Sequence, residues 1–204
     1  MKARLTFQEE ILGMSPSNQD ICDKFIASKA PDAPSREEEI AAIGVDAVVD
    51  KGKTIFPRLP DGTPFVWDYQ IKGMLKDICG SLRRAEGTLS SKLTAYKKVI
   101  DGLIFVKPRK IPFLSVGEAG ECQRIIRIND SAGERTAFAV SETLPAGSSI
   151  EFEFVFWEQL SKEEKSKKIS IRDLLEEWLN YGALRGWGQW RNSGKGVFTW
   201  EELK

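Results

Sequence analysis

The stretch Tyr181–Leu203, "YGALRGWGQWRNSGKGVFTWEEL", places Gly182, Gly186, Gly188, Gly194 and Gly196 within fifteen residues, together with Arg185, Arg191, Lys195 and the tryptophans Trp187, Trp190 and Trp200. Glycine accepts positive φ and lets another backbone come close, so this density describes a loop shaped by its main chain. Its flanks fix its setting. Upstream, Ser170-Ile-Arg-Asp is a helix start: the Ser170 hydroxyl can accept the Asp173 amide and the Asp173 carboxylate can return the bond. Leu174, Leu175, Trp178 and Leu179 form the buried stripe of that helix, and the sequence predicts its end at Gly182. Downstream, Val197-Phe-Thr-Trp reads as a closing strand. The loop therefore joins a helix to a strand, the reverse of the dinucleotide-binding fingerprint.

Working outward, Ala3-Arg-Leu-Thr-Phe alternates apolar and polar residues as a first strand with one buried face. A helix is expected after Asn18, with apolar residues at 21, 22, 25 and 26, and a second short one between Ser35 and Gly44. Lys53–Arg58 and Pro64–Trp67 read as strands of a hairpin around Asp61-Gly62. Asp68 opens "DYQIKGMLKDICGSLRRA", in which Ile71, Met74, Leu75, Ile78 and Leu82 recur at helical spacing. Leu103–Phe113, Ile125–Ile128, Thr136–Val140 and Ile150–Trp157 are further strands, with turns at "NDSAGER" and "TLPAGSS". This order predicts one α+β domain over residues 1–204: a ferredoxin-like (RRM-like) antiparallel sheet with helices on one face and inserted β-hairpins, the main insertion around 103–147.

Composition narrows the chemistry. Thirty Lys plus Arg balance thirty Asp plus Glu in 204 residues, so any anion site is a local patch and not a global field. No apolar run reaches bilayer length and the first residues lead straight into a strand pattern, so a soluble, cytoplasmic protein without a membrane partner is expected. Cys22, Cys79 and Cys122 lie far apart, which favours reduced thiols over a disulfide framework. The chain has no histidine. That excludes Ser-His-Asp, Cys-His and His-ligated zinc sites, and no other pair of groups stands at a recognisable catalytic spacing. The expectation is a binding protein without catalytic residues, metal or cofactor.

A helix running into "GALRGWGQWRNSGKGVF" and a domain-closing strand resembles the carboxy-terminal glycine-rich loop of the RAMP superfamily, the RNA-binding subunits and processing nucleases of CRISPR systems. In that family the segment ends in a Gly-x-Gly-Arg-like turn before the last strand of a ferredoxin-like fold, and Gly186, Gly188, Gly194 and Gly196 stand in the matching places. "YQIKGMLKDICGSLRR" is similar to the family's early helix, through Ile71, Lys72, Gly73, Leu75 and Lys76. Two departures stand out: Trp67-Asp68 replaces the usual Pro-Gly, and Val197 occupies the place of the Arg. In size and style the chain also resembles uncharacterised phage and prophage proteins. The resemblance implies that Lys107, Arg109 and Lys110, in "FVKPRKIPF", belong to a thumb-like hairpin able to grip a nucleic-acid backbone.

Physically, glycine-loop amides with Arg185, Arg191 and Lys195 suit phosphates, and Trp187, Trp190 and Trp200 offer faces to unpaired bases. The same residues have plainer uses. Core packing is the favoured reading for any one tryptophan, a solvated surface suits the cations equally, and edge protection accounts for lysines in a strand. Two functions stay open, with a third behind them, an enzyme without histidine in which Lys72, Asp68 and Tyr69 could serve acid–base roles. One is non-catalytic binding of single-stranded RNA or a nucleotide through the loop, Lys72 and the basic hairpin. The other is a structural or regulatory subunit of a complex or homo-oligomer, of phage origin and including a sequestering inhibitor of host defence.

Overall fold

The alternation at the start of the chain becomes β1, Lys2–Phe7, in which Ala3, Leu5 and Phe7 are fully buried and Arg4 lies on the opposite face. The computed structural model describes residues 1–17, 53–130, 133–157 and 169–204. The helices expected after Asn18 and Ser35 lie outside the described residues. After β1 come β2 (Ile11–Leu12), β3 (Ser15–Pro16), β4 (Thr54–Ile55), β5 (Phe65–Trp67), α1 (Asp68–Leu82), α2 (Tyr96–Leu103), β6 (Ile104–Lys107) and β7 (Lys110–Ser115). The chain then forms β8 (Gly120–Asp130), β9 (Gly133–Leu144), β10 (Ser149–Phe156), α3 (Ile171–Arg185) and β11 (Phe198–Leu203).

The expected α+β class is what the chain adopts, with two sheets among the described residues in place of the single sheet expected. In the first, the order is β11, β1, β10, β7, β5, with β6 also on β10. The first and last strands are neighbours over six residue pairs, from Lys2 opposite Leu203 to Phe7 opposite Phe198. β10 holds β1 on one side and, on the other, β6 along its later residues and β7 along its earlier ones. In chain order this sheet and its helices run β1, β5, α1, α2, β6, β7, β10, α3, β11. The second sheet has the order β2, β9, β4, β3, with β8 paired to β9 along a long hairpin, and β4 runs parallel to β9.

Three elements differ from the sequence expectation. The strands around Asp61-Gly62 do not form one hairpin beyond an Arg58–Pro64 bridge: β4 joins the second sheet and β5 pairs with β7. The 103–113 run is not one strand, because α2 extends to Leu103 and the chain breaks between Lys107 and Lys110. Gly182 does not end α3, which continues to Arg185 and is capped by Gly186 at φ 78°. A Cβ at Gly182 would stand 2.7 Å from Ile78 Cδ1 and 3.1 Å from a Phe198 ring carbon, so this glycine allows α3 to lie against α1 and β11.

α1 begins where the Gln70 side chain accepts the Trp67 amide at 2.9 Å, half of a capping box that an indole cannot complete. At the start of α3 the Ser170 hydroxyl accepts the amides of Arg172 and Asp173 at 3.1 and 3.4 Å. Both helices bury their stripes in one cluster with Ala3, Leu5, Phe7, Ile150, Phe152 and Phe154. Burial of each leucine, isoleucine or phenylalanine among them contributes about 1.5–3 kcal/mol. Glu177 of α3 fastens the chain before α2, accepting the Leu89 amide at 2.6 Å, the Ser90 amide at 3.0 Å and the Ser90 hydroxyl at 2.6 Å. Among the described residues no helix is long and apolar enough to cross a membrane.

Candidate functional site

The glycine-rich loop leaves α3 and closes on itself, the Trp187 amide donating to the Gly196 carbonyl at 2.9 Å. Gly186, Gly188, Gly194 and Gly196 all have positive φ, and at two of them the space for a side chain is missing as well. A Cβ on Gly186 would stand 2.6 Å from the Lys195 carbonyl oxygen, and one on Gly196 only 1.9 Å from that of Trp187. The main-chain segments of the loop therefore cross in contact, as only glycine permits. Trp187 between them is buried, its ring stacked on Phe7 at 6.1 Å and 23°, which makes it a core residue that anchors the loop to the sheet. Trp190 differs: it is 40% exposed and takes a left-handed conformation at φ 55°, unusual for a bulky side chain, with the Arg124 guanidinium 5.8 Å from its ring centroid.

The loop's cations meet carboxylates. Arg185 grips Asp77 of α1 through Nε at 2.7 Å and a second nitrogen at 3.3 Å, and Arg191 donates to the same Asp77 oxygen that takes the Arg185 Nε. Burial pulls the Asp77 carboxyl upward; the hydrogen bonds and charges of Arg185 and Arg191 outweigh it and hold it below the usual carboxylate range. Lys195 pairs with Glu10, whose hydrogen bond lifts the ammonium above its ordinary value. Gln189 ties the loop to the second sheet: its amide nitrogen donates to the Gly13 carbonyl at 2.7 Å and the Thr54 hydroxyl at 2.8 Å, and its oxygen accepts from Arg124.

Between the loop and α1 lies a cleft of about 550 Å³. Its walls include Tyr69, Gln70, Lys72, Lys76, Asp77 and Asp101 on the helical side, Trp187, Gly188, Gln189 and Arg191 from the loop, and Met14, Pro16 and Thr54 from the second sheet. Lys72 and the loop thus share one cavity. Lys72 is only 3% exposed, its ammonium 3.4 Å from the Asp101 carbonyl and 5.2 Å from the Phe105 ring centroid. Lys76 is paired with the Asp101 carboxylate at 2.5 Å. A lining that combines Lys76 and Arg191 with Asp77 and Asp101, the buried Lys72, and the apolar Met14, Met74 and Trp187 suits a small ligand with an anionic group and a flat apolar part.

The basic hairpin residues lie elsewhere. Lys107 and Arg109, with Lys2, Glu151, Glu153 and Leu203, line a separate depression of about 620 Å³. Lys110 stacks its ammonium 5.6 and 5.4 Å from the Phe65 and Trp67 ring centroids, a cation–π role that ties β7 to β5. Arg185, Gly186, Trp190, Gly194, Lys195 and Gly196 stand in the loop or its helix without lining the cleft. Reasoning from sequence missed Gln70, Asp77, Asp101, Thr54 and Gln189, and named Tyr69 only as an acid–base candidate. Lys76 could have been found, lying four residues after Lys72 and so on the same helical face; Thr54 and Asp101 carry no local signal and reach the cleft through tertiary packing.

Fold and cleft together define an α+β protein with a ligand-sized cavity built on a glycine-rich loop. No family model matches the chain and no curated protein is similar to it. Among solved structures it is similar to a chain in the cryo-EM structure of the type III-B Cmr-beta complex bound to cognate target RNA, with a TM-score of 0.49 and 10% identity over all of this chain and 58% of that one. It is similar also to a chain of a type IV-B CRISPR complex, with a TM-score of 0.49 and 12% identity over 98% of this chain and 88% of that one. The chain spans about 58% of the length of that Cmr-beta chain.

Proposed function

We propose that this chain is a non-catalytic, cytoplasmic binding protein for single-stranded RNA or a nucleotide, of RAMP-like, ferredoxin-like type, and that the ligand occupies the cleft between α1 and the glycine-rich loop. The observation that carries this reading is the meeting of Lys72, Lys76 and Arg191 with the loop's Gly188 and Gln189 around one cavity. A phosphate finds guanidinium and ammonium donors there, Gln70 brings an amide nitrogen suited to a base edge, and Tyr69 brings an aromatic ring. Neutral net charge makes the attraction local, so binding is weak at high salt and insensitive to the rest of the surface.

The test is fluorescence anisotropy with a labelled oligouridine, a duplex of equal length, and ATP as competitor, at two salt concentrations. The single strand is expected to bind, and the Lys76→Ala/Arg191→Ala pair to bind more weakly, with the salt slope reduced by about 0.7 for each phosphate that the variant no longer neutralises. Competition by ATP at low concentration points to a mononucleotide site, and its absence to a polymer.

A second reading has its own support. Phe105 and Val155 are cross-strand partners, 48% and 40% exposed, and Trp157, just after β10, is 75% exposed. Such side chains suit a protein interface of a structural or regulatory subunit, and the ion pairs of Arg185, Arg191 and Lys195 fit a loop that is pure architecture. Failure of every nucleic-acid probe, with self-association abolished in Phe105→Ser/Trp157→Ser by analytical ultracentrifugation, favours this reading.

A further inference from the structure

Asp77 is shared unequally. Arg185 holds it through two nitrogens, at 2.7 and 3.3 Å, whereas Arg191 reaches it through one, on the oxygen Arg185 already uses. Asp77 and Arg191 line the cleft and Arg185 does not. All three side chains are about one-third exposed, so water reaches the cluster and its bonds can exchange. A guanidinium has five N–H donors in a rigid fork, so Arg191 keeps free donor capacity toward the cleft while one edge is held by Asp77.

We propose that Asp77 sets the affinity of the cleft by competing with the ligand's phosphate for Arg191, and that Arg185 weakens this competition by holding Asp77 itself. The inference rests on the phosphate-binding reading above. When a phosphate takes the guanidinium of Arg191 in a two-pronged contact, Asp77 gives up one partner and keeps the bidentate one. The carboxylate is not left unpaired, which would otherwise oppose the exchange. Without Arg185, the whole charge of Asp77 falls on Arg191 and holds it from the ligand. Replacing Asp77 by a neutral side chain removes both the competitor and its negative potential at the cleft wall.

Asp77→Asn should bind the labelled oligouridine about fivefold more tightly than the parent, and Arg185→Ala about fivefold more weakly, the scale of a partly exposed ion pair. Both should melt at lower temperature without ligand, since each breaks an ion pair between α1 and α3; a merely structural role moves both affinities the same way. Arg185→Lys, which keeps one charge but not the fork, should fall between Arg185→Ala and the parent, and it keeps the test decisive should Asp77→Asn not fold. Unchanged or weaker binding by folded Asp77→Asn overturns the competition, as does parental affinity in Arg185→Ala; the cleft itself still stands if Arg191→Ala binds poorly. Absence of binding by the parent and by Asp77→Asn overturns the cleft and this inference together.

Discussion

Gly194 and Gly196 stand two residues apart in one loop, at φ 80° and 70°, yet a methyl group would meet different fates at the two. At Gly194 an added Cβ has nothing within 4 Å, so Gly194→Ala costs only the left-handed backbone, about 1–2 kcal/mol. At Gly196 it would fall 1.9 Å from the Trp187 carbonyl oxygen, a backbone atom that cannot turn aside. Gly196→Ala is therefore expected to cost more than Gly194→Ala by about 2 kcal/mol or more, the scale of an overpacked core. Guanidinium denaturation of the two variants measures the gap; equal midpoints would show that the loop opens at no cost. The glycines were legible in the sequence as a backbone-shaped turn, because conformational freedom is a property of the residue itself. Which of them is irreplaceable was not, since that depends on a chain segment crossing nine residues away. The cations show the same division. Arg185, Arg191 and Lys195 read plainly as charges, but the sequence does not show that Asp77 and Glu10 face them, and that pairing decides whether they are free for a ligand.

At the scale of elements, α1 and α3 are joined by Asp77 and by close approach at Gly182. The folded Asp77 carboxyl lies below its ordinary range, whereas unfolded aspartate titrates near pH 3.9. Its contribution to stability is thus complete above the unfolded value and is lost as pH falls through the lower folded value. Thermal melts between about pH 6 and pH 3 should show Asp77→Asn less stable than the parent at the upper end, with the difference shrinking toward the lower; a constant gap would place the effect in packing and not in charge. At Gly182, alanine would gain about 1 kcal/mol of helix propensity, but its methyl would meet Ile78 and Phe198. The expected net effect is destabilisation by about 1 kcal/mol, and Ile78→Val in the same chain should recover part of it, because the offending atom is the tip of Ile78. Here lies the reason the helix end was misread. A glycine near a helix terminus is a stop signal only when no neighbour needs the space, and the neighbours of Gly182 come from α1 and β11. The starts of both helices were legible because their caps are local, as with Ser170. The partition of 53–67 between two sheets was not, because pairing partners 43 to 87 residues away outweigh the turn signal at Asp61-Gly62.

Across the whole molecule, the two chain ends meet in one sheet: β11 covers the outer edge of β1, and its residues reach back into both layers. Phe198 is buried against Phe7, the Trp200 indole donates to Asn180 of α3 at 2.9 Å, and Glu201 and Glu202 pair with Arg4 at 2.8 Å and Arg172 at 2.5 Å. Alternation in both terminal segments was enough to foresee this pairing, since a strand with one apolar face must find a sheet on which to bury it. Ending the chain at Gly196 removes the ladder and the Phe198 side chain together. Loss of a buried phenylalanine alone costs about 3–5 kcal/mol, a large part of the 5–15 kcal/mol by which a typical domain is stable. The truncated chain should therefore show no cooperative transition in differential scanning calorimetry. Neutralising the strand's charges instead, as Glu201→Gln/Glu202→Gln, removes two exposed pairs and should leave the cooperative transition in place close to the parental temperature. The contrast assigns the role of β11 to its backbone ladder and its buried ring. A truncated chain that melts at the parental temperature would make β11 a separable tail, and the first sheet would then have to hold β1 as its own edge.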